Sequence, residues 1–168
     1  MVSRVRQIPD YHRLCELSRR LPALDPDAVL ACATIHAVGV EVQAALEASL
    51  AKHDMSEGRL RVLVLLLDQD QPIPHSELAD LSCVTKGTIT GLVDSLERDG
   101  YVERQPDQDD RRVVKIALTR AGRAVIDRIL PGHLTRLSKM MRRLTKREQK
   151  SLIDLLTKVH DGLPALRE

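Results

Sequence analysis

The sequence predicts a mainly α-helical protein with one small β-hairpin, and three observations lead to this fold class. Apolar residues recur at helical spacing through both ends of the 168-residue chain. Several of these segments begin with residues that favour a helix start, such as Asp25-Pro26, Thr119 and the box that opens at Thr145. Near the middle, two strand-like segments flank a polar turn over residues 106–110, which is typical of a hairpin.

Each element follows from its own local residues. Pro22 ends the first helix, Ser76 is expected to cap the fourth, and Gly100 is placed to stop the fifth. Pro131-Gly132 should kink or break the long helix that follows the hairpin. The predicted helices cover residues 9–21, 26–52, 56–67, 76–81, 85–99, 119–143 and 145–160, and the predicted strands cover 101–105 and 113–118.

Two short helices, a turn and a hairpin in this order make a winged helix-turn-helix. We expect this lobe over residues 54–122, with N-terminal helices over 1–53 and C-terminal helices over 123–168. The flanking helices carry broad apolar faces but are separated in sequence by the lobe. They can bury those faces against each other and against a second copy, which predicts an obligate homodimer held by both flanking segments.

Composition excludes several classes of function. The chain has two Tyr and neither Phe nor Trp, so stacking of single-stranded bases on aromatic rings is nearly excluded. The longest purely apolar run, residues 62–67, is too short to span a membrane, and no signal peptide is recognisable. Cys15, Cys32 and Cys83 lack metal-ligand spacing, which fits a reducing cytoplasm. The chain shows neither a catalytic triad nor a phosphate loop, so we expect neither an enzyme nor a cofactor.

The predicted helix over residues 85–99 has a buried face and an unusual opposite face. Ile89, Leu92, Val93 and Leu96 follow helical spacing and form the buried side. The opposite side carries two glycines among hydroxyl side chains and a cation. Each glycine costs about 1 kcal/mol relative to alanine in an exposed helix. Close approach to duplex DNA explains them, because a recognition helix docks its N-terminal residues on base edges in the major groove. The exposed set comprises Thr85, Lys86, Gly87, Thr88, Thr90, Gly91 and Asp94.

The hairpin tip supplies a second candidate contact. Asp110, Arg111 and Arg112 crowd the turn. An arginine on a wing reaches into the minor groove, where narrow width concentrates negative potential. A nearby carboxylate can hold the guanidinium in a bidentate pair. A surface ion pair worth less than about 1 kcal/mol is the alternative interpretation.

At these residues the sequence resembles the MarR family of winged-helix regulators. The resemblance runs from about residue 54 to 122 and rests on ordered, correctly spaced motifs rather than on any one of them. These include Ser76-Glu77-Leu78-Ala79, Thr88-Ile89-Thr90, Leu92-Val93-Asp94-Ser95-Leu96-Glu97-Arg98-Asp99-Gly100-Tyr101-Val102, Arg104, Asp110-Arg111-Arg112 and Leu118-Thr119-Arg120-Ala121-Gly122.

The resemblance implies a homodimeric regulator, usually a repressor, on a pseudo-palindromic promoter site in double-stranded DNA. Each subunit would place its recognition helix, residues 85–94, in a major groove and its wing in a minor groove. Ser76 joins the implied DNA-contacting set, and Asp110 with Arg112 is the implied wing pair. Gly91 stands where many relatives carry Arg, so one contact of those relatives is missing here.

The resemblance also implies an effector, a small lipophilic or aromatic acid that releases the DNA. Its site would lie between the first long helix, the helix over 56–67 and the helix after the wing. An arginine there could pair with a ligand carboxylate. The implied ligand-binding residues are His36, Val40, Met55, Arg59 and Arg61.

Three alternatives stay open. Some members of the family sense oxidants through a reactive N-terminal cysteine, and Cys15 and Cys32 are N-terminal here. The six histidines could suggest a metal sensor, although their spacing supplies no convincing pair. A winged-helix module that binds protein instead of DNA is the third alternative, and the exposed glycines and wing arginines favour DNA over it.

Overall fold

The chain is described here from a computed structural model that defines residues 8–69, 71–82, 84–107, 110 and 112–166. Its helices are α1 (Tyr11–Ser18), α2 (Pro26–Ala51), α3 (Glu57–Leu67), α4 (His75–Ser82), α5 (Lys86–Arg98), α6 (Arg120–Met140) and α7 (Lys146–Asp161), and its strands are β1 (Ile73–Pro74), β2 (Val102–Pro106) and β3 (Val114–Leu118). Short 3₁₀ helices cover Met141–Arg143 and Leu163–Leu166. The predicted fold class, mainly helical with a β-hairpin wing, is confirmed.

The chain forms two compact units, Met1–Arg61 and Val62–Glu168. In the first, the Asp25 side chain caps α2 by accepting the backbone N–H groups of Asp27 at 2.9 Å and Ala28 at 3.2 Å. Helix α1 ends at Ser18, earlier than predicted from Pro22, because the backbone tightens so that Leu17 accepts the N–H groups of both Arg20 and Leu21.

Helix α2 exposes most of its apolar surface. Of its 26 residues only Ala37 and Leu50 are buried. Its length and composition would also allow it to cross a bilayer. The search of the sequence for purely apolar runs did not reveal this property. The same properties also belong to a helix that is covered by another protein chain. The amide of Gln43 donates to Glu47 and Glu57, a polar link suited to the surface of a globular protein.

A small antiparallel sheet of order β1-β3-β2 closes the helix-turn-helix of the second unit. The predicted hairpin pairs Arg104 with Ile116 at its centre, and Ile116 is fully buried. The sequence predicted a plain turn where β1 forms. Ile73 instead pairs with Ile116 from the other side of β3 and is itself buried. Because Pro74 is extended in this sheet, α4 starts directly at His75, and Ser76 lies inside the helix rather than capping it.

Helix α5 is anchored by the predicted residues. Ile89, Val93 and Leu96 are fully buried, and α5 contacts both α4 and β2. The Thr85 side chain caps its first turn by accepting the N–H of Thr88 at 3.2 Å. At its other end Gly100 adopts φ +75°, the left-handed conformation that glycine tolerates without a Cβ penalty. This helix therefore has fixed ends and one free face.

The sequence predicted a kink or a break at Pro131-Gly132; the break is wrong, because α6 continues through Pro131 as one helix. The proline lies on the exposed side, while Ile126, Ile129 and His133 bury the opposite side. The carbonyl of Pro131 also accepts the Thr135 hydroxyl at 2.8 Å. Packing of the buried side on both flanks of the proline offsets the backbone hydrogen bond that it removes.

Helix α7 begins at the predicted capping box. The Glu148 N–H donates to the Thr145 hydroxyl at 3.3 Å, and the Glu148 carboxylate accepts the Thr145 N–H at 2.7 Å. No residue of α7 is buried within the chain, although one side of it is apolar. Leu155 is 58% exposed, and Val159, four residues later on the same side, is 46% exposed. Such an uncovered apolar side is typical of a protein–protein interface.

Candidate nucleic-acid interface

The free face of α5 carries the residues that the sequence assigned to DNA. Thr85, Lys86, Gly87, Thr88, Thr90, Gly91 and Asp94 are all exposed. The Thr88 and Thr85 hydroxyls lie 2.8 Å apart, and the Thr90 hydroxyl donates to the Lys86 carbonyl at 2.8 Å. Hydroxyl oxygens keep lone pairs beyond these bonds. The N-terminal turns of α5 therefore present ordered polar groups on a smooth surface.

The two glycines of this face are not required by packing within the chain. A Cβ at Gly91 would meet no atom within 4 Å in the described part of the chain. At Gly87 the nearest neighbour would be the Thr85 hydroxyl oxygen at 4.0 Å. Gly122 differs, because its Cβ would lie 2.1 Å from the Tyr101 carbonyl oxygen. The close approach of α6 to the hairpin therefore explains Gly122, whereas no packing contact among the described residues explains Gly91.

At the described residues of the wing tip, two aspartate side chains accept hydrogen bonds from the backbone. The Asp107 carboxylate accepts the Asp110 N–H at 2.9 Å, and the Asp110 carboxylate accepts the Arg112 N–H at 2.9 Å. Lys115 on β3 forms an ion pair with Asp107. Among the described residues the bidentate pair expected between the Asp110 and Arg112 side chains is absent, because Asp110 bonds the backbone instead. Arg112 is exposed, and Arg111 lies outside the described residues.

An open groove separates the wing from the helix-turn-helix. It brings together Ser76 at the start of α4, Thr90 on α5 and Arg112 on the wing, three residues that the sequence placed in the DNA-contacting set. Its other lining residues are Pro74, His75, Arg104, Val113 and Val114. Three of the predicted contacts, from α4, α5 and the wing, therefore line one groove of the second unit.

Sequence reasoning missed the role of Arg104. Its guanidinium Nη2 lies 2.6 Å from the Asp94 carboxylate, and its Nη1 forms an ion pair with Glu97. The hydrogen bond with Asp94 raises the pKa of the Arg104 guanidinium, against the effect of desolvation. Two acids three residues apart on one side of α5, Asp94 and Glu97, were the signal that could have revealed a cation opposite them.

The five residues assigned to an effector divide into two groups. His36 and Val40 line a shallow apolar concavity on α2 together with Gly39, Gln43 and Ala44. Met55 is buried, Arg59 donates to the Asp54 carbonyl at 3.0 Å, and Arg61 forms an ion pair with Glu57. These three residues are not among those that line the concavity.

The cysteines that raised the oxidant alternative have different surroundings. Cys15 is half-buried, and its thiol together with Asp27 raises the pKa of Tyr11. Cys32 is exposed, and both thiols are free. Cys83 lies outside the described residues. Within the described ranges, no cluster of three or more His, Cys, Asp or Glu is placed to hold a metal ion.

Comparison with known proteins decides the family. The sequence model of the MarR family matches residues 55–114, which include α4, α5 and strand β2 of the wing. The HTH-type transcriptional repressor YetL of Bacillus subtilis is 30% identical over 165 residues, covering 98% of this chain and 99% of that protein. The chain belongs to the MarR family. It is a DNA-binding transcription regulator and not an enzyme, as its relatives are regulators.

Solved structures of other MarR regulators agree. Sco3205 of Streptomyces coelicolor, crystallised in complex with DNA, is 28% identical with a TM-score of 0.70, covering 74% of this chain and 80% of that one. CouR of Rhodococcus jostii RHA1, crystallised with p-coumaroyl-CoA, is 26% identical with a TM-score of 0.65, covering 74% and 87%. Relatives of this MarR regulator thus include proteins seen with DNA and with an organic acyl thioester.

Proposed function

We propose that this MarR regulator binds a pseudo-palindromic promoter site as a cytoplasmic homodimer and represses transcription. The exposed, glycine-bearing face of α5 beside the wing is the observation that carries the proposal. Its N-terminal turns enter the major groove, where the hydroxyls of Thr85, Thr88 and Thr90 and the ammonium of Lys86 face bases and phosphates. Ser76, at the start of α4, lines the protein groove between the wing and the helix-turn-helix and faces the DNA backbone.

The wing supplies the minor-groove contact. Asp107 and Asp110 order the tip through its backbone, so the exposed Arg112 starts from a fixed main chain when it extends. Less backbone entropy is then lost on binding. Arg111 belongs to the same proposed contact by sequence. Since α5 and the wing lie on one unit, each protomer covers one half-site.

Exposed apolar helices support the homodimer. In the first unit α2 leaves Val29, Ile35 and Val38 exposed, and in the second α7 leaves Leu155 and Val159 exposed. A stable dimer needs about 800 Å² of surface per partner, and long helices with uncovered apolar sides suit that requirement. We therefore assign residues 1–53 and 123–168 to dimerisation and 54–122 to DNA binding.

A small lipophilic or aromatic acid is the proposed effector. CouR, a relative, was crystallised with p-coumaroyl-CoA. In this chain the concavity formed by His36 and Val40 is almost wholly apolar, which favours a lipophilic group. Arg59 and Arg61 lie near the start of α3 and supply the cations proposed for a carboxylate, with Met55 as an apolar neighbour in sequence.

Fluorescence anisotropy with duplex DNA tests the proposal. The operator would be obtained by selection from a random duplex pool, and Arg112→Ala and Thr88→Ala would be compared on operator and on random DNA. Arg112→Ala should weaken binding to all sequences and flatten the salt slope, while Thr88→Ala should narrow the ratio between operator and random affinities. Lys150→Ala removes one exposed charge from α7 and serves as the control. If Arg112→Ala binds like this control, the wing assignment is wrong.

A further inference from the structure

The carboxylate of Asp94 is occupied within the chain although it lies on the proposed recognition face. Its Oδ1 accepts Arg104 Nη2 at 2.6 Å, across a sequence separation of ten residues. Arg104 lies on β2, the first strand of the wing, and pairs with Ile116 at the centre of the hairpin. The contact therefore links the recognition helix to the wing.

Glu97 makes the same link at two further points. One carboxylate oxygen forms an ion pair with Arg104 Nη1, and the other accepts the Arg104 backbone N–H at 3.3 Å. Asp94 and Glu97 are three residues apart, so they project from neighbouring positions on one side of α5. Side chain and main chain of β2 are thus both fastened to the helix.

Charge argues against Arg104 as a phosphate contact. Two carboxylates surround one guanidinium, which leaves the cluster with a formal charge of about −1. A DNA phosphate would meet net repulsion from this cluster. Without Arg104, the unpaired carboxylates would repel the DNA backbone more strongly still. The arginine side chain is 30% exposed, so solvent screens the pairs only in part.

We propose that Asp94, Glu97 and Arg104 form a positioning cluster that fixes the wing relative to α5, and that Asp94 does not contact a base. The inference rests on the proposed binding of α5 in the major groove and of the wing in the minor groove. By holding strand to helix, the cluster sets the distance between these two contacts on one half-site. Arg104 thus acts on specificity through Arg112 and the recognition helix, without touching DNA.

A double-mutant cycle on operator and random duplexes tests this role. Asp94→Asn and Arg104→Met each keep the side-chain shape while removing the charge, and Arg104→Lys is the conservative variant. Each single change should reduce the ratio of operator to random affinity by about tenfold, in the range found for residues that act together. The double variant should be no worse than Arg104→Met alone, and Arg104→Lys should recover part of the loss.

Hydroxyl-radical footprinting of the Arg104→Met complex gives an independent readout. The protection that the wing gives to the minor-groove sugars should fade, while the protection of guanine N7 by α5 in the major groove, read with dimethyl sulfate, should stay. Thermal melting confirms that each variant is folded.

Other results would overturn the inference in recognisable ways. An effect of Asp94→Asn that persists undiminished in the Arg104→Met background would mean a base contact by Asp94. Equal weakening on operator and random DNA, with the salt slope reduced by about 0.9 for each arginine lost, would mean a phosphate contact by Arg104. An operator that wild-type protein does not distinguish from random DNA would refute the proposed function itself.

Discussion

Gly91 gives a prediction in which stability and DNA binding change in opposite directions. The residue lies in the second turn of α5 and is exposed, and a Cβ there would meet no atom within 4 Å. Gly91→Ala should therefore stabilise the free protein by about 0.5–1 kcal/mol, because alanine loses less backbone entropy than glycine in a helix.

The same methyl group should weaken operator binding. If the α5 backbone approaches base edges closely at Gly91, the added Cβ must push the helix outward or distort the complex. Inserting a methyl group into a well-packed contact costs about 1–3 kcal/mol, which corresponds to a loss of roughly tenfold or more in affinity per half-site.

Thermal denaturation and anisotropy on the selected operator measure the two effects at one protein concentration. Gly132→Ala on α6 is the matched control, since its Cβ would meet only the flexible end of Arg136 at 3.4 Å. The control should gain stability and keep its affinity. A Gly91→Ala protein that is more stable and binds the operator as tightly as wild type would refute close approach at this helix position.

Three other perturbations test packing, capping and assembly. Gly122→Ala should destabilise the lobe by about 1–3 kcal/mol or more, because its Cβ would lie 2.1 Å from the Tyr101 carbonyl oxygen; a melting temperature equal to that of wild type would contradict this packing. Glu148→Gln keeps the capping box without a titrating group. Hydrogen bonds from the Thr145 backbone N–H and then from its hydroxyl lower the pKa of Glu148, so the charged form adds stability above its ordinary pKa of 4.5. The extra stability of the wild-type protein over Glu148→Gln should disappear as the pH falls through the lowered pKa of Glu148. A difference in melting temperature that persists in acid would argue against this contribution of the charged carboxylate. Leu155→Glu places a charge on the uncovered apolar side of α7 and should shift the protein towards monomer in analytical ultracentrifugation, whereas Lys150→Glu on the opposite side of the same helix should remain dimeric; an unaltered Leu155→Glu dimer would place the interface elsewhere.

Local chemistry made much of the fold predictable. Asp25, Thr119 and Thr145 cap their helices through side-chain bonds within three residues, as their sequence contexts predicted. The buried face of α5 also follows from spacing alone. Each of these features depends on neighbours along the chain, so the sequence contains the whole cause.

Features that depend on distant partners were not predictable in the same way. Strand β1 exists because Ile73 meets Ile116, which lies 43 residues later in the register. Helix α6 continues past Pro131 because residues on its opposite side are buried on both flanks of the proline, a stabilisation that no local rule includes. In the candidate site, exposure of the recognition face was predictable, but the pairing of Asp94 with Arg104 requires the wing to fold back on α5.

The most direct test of the account is the binding of purified wild-type protein to its own upstream DNA and to random duplex, at two salt concentrations. We expect the protein to bind the upstream site at least about 10³-fold more tightly than random DNA, and we expect salt to weaken this binding. Footprinting should show a protected pseudo-palindrome whose half-site centres lie about 10–10.5 base pairs apart, or a multiple of that distance. Equal affinity for both duplexes at low and high salt, with no protected site, would contradict the claim that α5 and the wing recognise a promoter sequence.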